Sequence, residues 1–134
     1  MDSTSIDLAS STISSFEIEG TTVKIFFEPA IILKTMTGSV EQTRWWQNGE
    51  LVFDGVISNN LSEFTNLPAP CEGGDIGENI YTYRDMIPVP LESVGRAHCN
   101  LKIAGSPTPI EVQAEAVTLV LKDVAKYIEH LRPD

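Results

Sequence analysis

No lysine or arginine stands between Arg44 and Arg84, whereas Glu50, Asp54, Glu63, Glu72, Asp75 and Glu78 all fall in that window. The chain as a whole has a formal net charge of −10 and a pI near 4.5. So few cations argue against a nucleic-acid partner, because affinity for phosphates comes largely from Lys and Arg that displace counterions. Long apolar runs are missing too. None approaches the ~20 residues that span a bilayer, so no membrane segment is expected. Residues 1–15 contain no Lys or Arg and no apolar stretch, so the basic and hydrophobic parts of a secretory leader are both lacking. Cysteine is scarce, with only Cys71 and Cys99. Together these absences predict a cytoplasmic protein whose thiols stay reduced.

The same scarcity removes most catalytic chemistry. The chain has two histidines, His98 and His130, and none of the paired Cys and His spacings of structural zinc sites. His98 and Cys99 are adjacent on an expected strand and point to opposite faces, so they cannot easily serve one site. A Cys71–His98 nucleophilic pair is disfavoured because Glu72, Asp75 and Glu78 would oppose formation of the thiolate. No Gly-x-Ser-x-Gly elbow is present, and Gly73-Gly74-Asp75-Ile76-Gly77 lacks the lysine of a phosphate loop. Glu72, Asp75, Glu78 and Asn79 carry calcium-type oxygens, but not at the spacing of an EF-hand, and read as a solvated loop. No catalytic, cofactor-binding or metal-ligating residue is therefore assigned, and the chain is not read as an enzyme.

What is present is an alternation of apolar and polar residues. At 134 residues the chain fits one domain able to bury a core without staples. Phe16 and Ile18, then Val23, Ile25 and Phe27, alternate across Gly20 as a hairpin, and residues 31–36 make a third strand. Asn48-Gly49 lies between two hydrophobic stretches, the signal of a two-residue type I′ hairpin turn. That register places Trp46, Leu51, Phe53 and Arg44 on one face, with Trp45 and Val52 on the other. Residues 59–80 are rich in Pro, Gly, Asn and acids and read as a long irregular loop. Strands are expected again over 80–87 and, with Ala97, Cys99, Leu101 and Ile103 on a single face, over the following segment.

The last third supports two readings. As a helix it has Thr108-Pro109-Ile110-Glu111 as a cap and a seven-residue repeat through Ile110, Val117, Val124 and Leu131. As strands it alternates at Ile110 and Val112, turns near residues 114–116, and alternates again at Val117, Leu119 and Leu121. Ile110-x-Val112, Val117-x-Leu119-x-Leu121 and Tyr127-Ile128-Glu129, with Glu50-Leu51-Val52-Phe53-Asp54-Gly55-Val56 and Ile87-Pro88-Val89-Pro90-Leu91, resemble small uncharacterised bacterial single-domain proteins of about this length. The resemblance implies a mostly β domain and transfers no catalytic residue. It favours two strands over residues 110–122, then a short helix capped by Asp123 with Val124, Tyr127, Ile128 and Leu131 on one face.

The expected architecture is thus all-β or β-rich α+β: an antiparallel curled sheet or partly open barrel of about eight strands with a short C-terminal helix. Residues 1–15 form a flexible polar tail and residues 16–134 a single domain. Trp45 and Trp46 cannot share a face; a sheet with one buried face exposes one of them, and a sheet packed on both faces exposes neither. The functional expectation is a small acidic module, immunity- or inhibitor-like, that masks a basic protein surface through Trp45, Glu63, Glu72, Asp75 and Glu78. The alternative is a β-barrel that binds a small ligand in its mouth.

Overall fold

The structure, a computed structural model, describes residues 3–36, 38 and 40–132. Ten strands make up most of it: β1 (Ser3–Asp7), β2 (Thr12–Glu19), β3 (Thr22–Thr35), β4 (Gln42–Asp54), β5 (Ser58–Asn59), β6 (Ala69–Glu78), β7 (Tyr81–Arg84), β8 (Met86–Pro88), β9 (Glu92–Ile103) and β10 (Ile110–Leu131). Single 3-10 turns at Leu8–Ser10 and Leu61–Glu63 are the only helical segments among the described residues. The strands form one antiparallel sheet in the order β2-β6-β9-β10-β4-β3-β1-β8, with β5 beside β10 and β7 beside β6. β2 also pairs with β3, so the sheet curls back towards its start. The seam consists of Thr12 opposite Pro70 and Ile13 opposite Ala69, too short for a continuous barrel wall.

Alternation builds the core. Val23, Ile25 and Phe27 of β3 and Ala97, Cys99, Leu101 and Ile103 of β9 all point inward and are buried. They meet Leu51 and Phe53 of β4, Ile76 of β6 and Val117 of β10, all fully buried, each such side chain contributing about 1.5–3 kcal/mol by leaving water.

Four expectations are corrected. Asn48-Gly49 is not a turn, because β4 runs straight through it with β3 along one side and β10 along the other. Pairing on both edges outweighs the local turn preference. Gly49 serves by its size: a Cβ there would lie 3.0 Å from Leu121 Cδ2 and 3.2 Å from the Val120 carbonyl oxygen. Continuous alternation then reverses the expected faces. Trp45 shares the inner face with Leu51 and Phe53, and Trp46 lies outside with Arg44, Glu50 and Val52.

Second, there is no C-terminal helix and no turn at residues 114–116; β10 is one strand of 22 residues. It pairs with β9 as far as Thr118 and with β4 from Ala116 to Leu131. Its inward positions change from even numbers, at Ile110, Val112 and Ala114, to odd at Val117, which imitates a turn in the sequence. Farther on, register shifts between Lys122 and Lys126 and between Tyr127 and Glu129 add residues on β10. These bulges break the period of two, and Asp123, at φ 62, lies inside the first rather than capping a helix.

Third, only residues 60–68 and the two-residue turn 79–80 of the expected irregular loop lie between strands. Residues 69–78 are β6, paired with β9 and β7, with Cys71, Gly73, Gly74, Ile76 and Gly77 buried. The glycines that suggested a loop are what let β6 approach β9 closely. Fourth, the polar tail is largely structure. β1 lies between β3 and β8, and Ile6 and Leu8 are fully buried. Ser11 is also buried; its hydroxyl donates to the Asp7 carbonyl at 2.8 Å and accepts from the Ile31 amide at 2.9 Å. Residues 1 and 2 of that tail lie outside the described residues.

Candidate functional site

The β6–β7 hairpin turns through two residues, Asn79 and Ile80, with Glu78 opposite Tyr81. Asn79 has φ 51, a conformation Asn tolerates better than most residues. Its side chain reaches β9: Oδ1 accepts from the Arg96 amide at 3.2 Å, and Nδ2 donates to Ser93 Oγ at 3.2 Å and to the Val94 carbonyl at 3.3 Å. The Asn79 amide donates to the Arg96 carbonyl at 2.7 Å. This clamp grips a bulge, since Ala97 lies opposite Ala114 while Val94 lies opposite Ala116, three steps of β9 against two of β10.

The bulge and the turn hold aliphatic side chains in water. Ile80 is 88% exposed, Val94 84% and Ile57 70%. Ile57 is fixed by its amide, which donates to the Gln113 carbonyl at 2.7 Å. The three residues adjoin through Arg96, which lines openings with Asn79 and Ile80, with Ile57 and Val94, and with Ile57, His98 and Gln113. β-Branched residues on a bulge rim and a turn tip do nothing for the core; they form a contiguous apolar patch around one guanidinium.

Three of the neighbouring carboxylates are committed elsewhere. Asp75 pairs with Arg84 at 3.4 Å. Glu78 accepts from the Tyr83 hydroxyl at 3.2 Å, and burial together with this carboxylate raises the phenol above its ordinary pKa. Glu111 accepts from Asn100 Nδ2 at 3.5 Å. The Glu115 carboxylate lies beside Gly55, where an added Cβ would stand 2.7 Å from Oε2, and Glu115 also lines the opening that Arg96 shares with Ile57 and Val94.

A second surface lies at the far end of the sheet. The β10 bulge at residues 123–125, opposite Gln47, lies across β4 from a bulge of β3 at residues 28–29, opposite Asn48. On the outer face there, Glu28, Pro29, Ile31, Trp46, Asn48 and Ile128 line a groove of about 490 Å³. The Lys126 ammonium sits 4.5 Å from the Trp46 ring centroid. On the inner face Trp45 meets Tyr127 edge-on at 5.3 Å, with Lys34 Nζ 4.3 Å from its ring.

The residues singled out in the sequence are distributed between these ends. Trp45 is half-buried against the core on β4. Glu63 is exposed in the 3-10 turn, and Glu72 is exposed near the start of β6. Asp75 and Glu78 are half-buried on β6 beside β7, within the hairpin that carries Ile80, and three steps of strand turn them to opposite faces. The structure thus groups Asp75 and Glu78 near the patch and leaves Trp45 with Tyr127. Sequence reasoning missed Ile57, Ile80, Val94 and Arg96. Two signals pointed to them: an isoleucine directly after a turn-forming asparagine, and a glycine, Gly95, inside a strand pattern.

Nucleophilic chemistry finds no support in the thiols. Both cysteines are buried, and burial pushes the Cys99 thiol up to about 12 and raises that of Cys71 as well. Among the described residues no group of three His, Cys, Asp or Glu is arranged to hold a metal ion, and no helix is long and apolar enough to cross a membrane. Comparison with known proteins found no family model that matches the chain, no similar curated protein and no similar solved structure.

Proposed function

We propose that this protein is a binding module that covers a surface of another protein, apolar at its centre and basic around it. The observation that carries the proposal is the exposed patch of Ile57, Ile80 and Val94, with the Val94 bulge held by Asn79 and Ile57 held by Gln113, on a molecule of net charge −10. Burying such side chains supplies affinity, and the surrounding negative field supplies encounter rate and selects against acidic competitors. Nothing in this reading requires a bond to be made or broken.

The test is affinity capture from the native organism with the wild-type protein, Ile80→Asp, Val94→Asp and a control, Ile18→Asp. Ile18 is also exposed but stands on β2, away from the patch. A partner retained by wild type and the control, and lost with both patch variants, supports the proposal. A retained protein indifferent to all three variants, or loss with the control as well, would overturn it.

The alternative of a small-ligand site draws on one observation, the outer groove at Trp46. The mouth of a barrel does not serve that reading, because the inner face is filled by Phe27, Leu51, Phe53 and Ile76.

A further inference from the structure

Arg96 is the cation of an acidic neighbourhood, yet among the described residues it has no ion pair. Of the nearby carboxylates on adjoining strands, Asp75 is held by Arg84, Glu78 by Tyr83 and Glu111 by Asn100, and Glu115 lines one opening together with Arg96 without an ion pair to it. Asn79, the polar side chain nearest the bulge, is used up in holding it. The guanidinium is therefore left with its donors unspent. It stands at the rim of a pocket of about 350 Å³ that it lines with His98, Gln113 and Ile57. Val94, Ile57 and Glu115 line the adjoining opening on its other side.

We infer that this pocket receives a carboxylate from the protein partner, delivered next to a branched apolar side chain. The inference rests on the protein-binding reading above and names what the partner presents to it. Arg pairs carboxylates through two parallel N–H donors, and the Gln113 amide and the His98 ring add further donors at the same opening. The apolar group lies between Ile57 and Val94. The surrounding negative field repels a free anion, so neither charge nor apolar contact suffices alone. The partner surface is thus basic at its rim and presents at its centre the carboxylate of a chain end that closes on a branched apolar residue.

The two halves are separable with small probes on the intact chain. N-acetyl-leucine, N-acetyl-leucinamide and acetate are titrated separately while amide, side-chain and methyl NMR signals are followed. The acid should shift the Arg96 Nε–H, the Gln113 side-chain amide and the Ile57 and Val94 methyl signals, and the amide and acetate should leave them nearly unmoved. Arg96→Gln should weaken binding of the acid roughly tenfold or more, as expected when a charge-assisted hydrogen bond is lost, and Arg96→Lys should restore part of it. Equal binding of acid and amide, shifts that map elsewhere, or no shift up to the solubility of the acid would each overturn the inference. Partner capture gives an independent readout: a partner lost with Ile80→Asp but kept by Arg96→Gln removes the carboxylate and leaves the binding module standing.

Discussion

Replacing Gly74 by alanine places a methyl group where the structure has no room for one. Its Cβ would run into the carbonyl oxygen of Asn100 and stand 2.9 Å from Leu101 Cα, both backbone atoms that cannot rotate away. Gly74 also has φ 138, a region an L-residue enters only with strain of about 1–3 kcal/mol. Relief requires β6 to move off β9, where Gly74 lies opposite Leu101 and Asp75 opposite Asn100. The same glycine is held from the other side: its amide donates to Asp85 Oδ1 at 3.0 Å, and its carbonyl accepts from the Asp85 amide at 2.6 Å. Losing one or two of these bonds adds about 1 kcal/mol each.

The expected loss is therefore about 2–5 kcal/mol, a large share of the 5–15 kcal/mol typical of a domain of this kind. Gly20→Ala is the matched control. Gly20 has φ 61 and nothing within 4 Å of an added Cβ, so only strain of about 1–2 kcal/mol applies there. Urea unfolding followed by tryptophan fluorescence compares the two, with the dependence on urea required to match wild type so that the midpoint reports stability. A Gly74→Ala midpoint equal to or above that of Gly20→Ala would refute the close β6–β9 packing and return residues 69–78 to a loop.

A glutamate-specific protease should cut after Glu63, exposed between β5 and β6, well before Glu72, which lies inside β6 between residues paired with β9; mass spectrometry of the first fragments decides, and early cleavage at Glu72 contradicts the strand. The Cys99 thiol keeps its proton up to about 12 when folded, against an ordinary value of 9.0, so the unfolded state loses that proton first. Stability should consequently fall between those two values, by up to about 1.4 kcal/mol per pH unit from this group. Cys99→Ala should flatten that part of the profile relative to wild type, and parallel profiles would remove the contribution. In the native state below that window, a thiol reagent should leave Cys71 and Cys99 unmodified until urea opens the sheet.

Where strands keep a period of two, the sequence was legible. β3 and β9 place their expected residues inside because each is paired on a regular ladder through Val23 to Phe27 and Ala97 to Ile103. Legibility failed where a local signal competed with pairing on two edges. Asn48-Gly49 is a good turn in isolation, but β4 is central, and folding it into a hairpin would forfeit its ladders with β3 and β10. The seven-residue repeat of the last third arose in a similar way. Bulges inserted residues into an alternation, and two plus an occasional extra step approximates a helical spacing at Ile110, Val117, Val124 and Leu131.

The candidate site was illegible for a related reason. A hydrophobic residue in a strand is assigned inward by default, and only register reveals that Val94 precedes a bulge and has lost that default. Charge misdirected the reading further. The window without cations looked like a single face, but its acids are spread over two strands, β4 and β6, and the 3-10 turn between them, with Glu50 buried beside Lys122 at 3.2 Å and Asp54 accepting from the Thr22 hydroxyl at 2.9 Å. What the window does contain is Ile80 at its tip and Asn79 to hold it. An Asn79→Ala substitution separates the two roles of that turn. It removes three side-chain hydrogen bonds, worth about 0.5–1.5 kcal/mol each, and frees the Val94 to Arg96 bulge while leaving Ile57, Ile80, Val94 and Arg96 in place. If the patch works as a preorganised surface, partner affinity should drop although every contacting side chain remains, because ordering the bulge then has to be supplied by binding. Calorimetric titration against the captured partner would show it as a more unfavourable entropy. Unchanged affinity and entropy would mean that the clamp only stabilises the sheet, and that Val94 and Arg96 need no holding to be recognised.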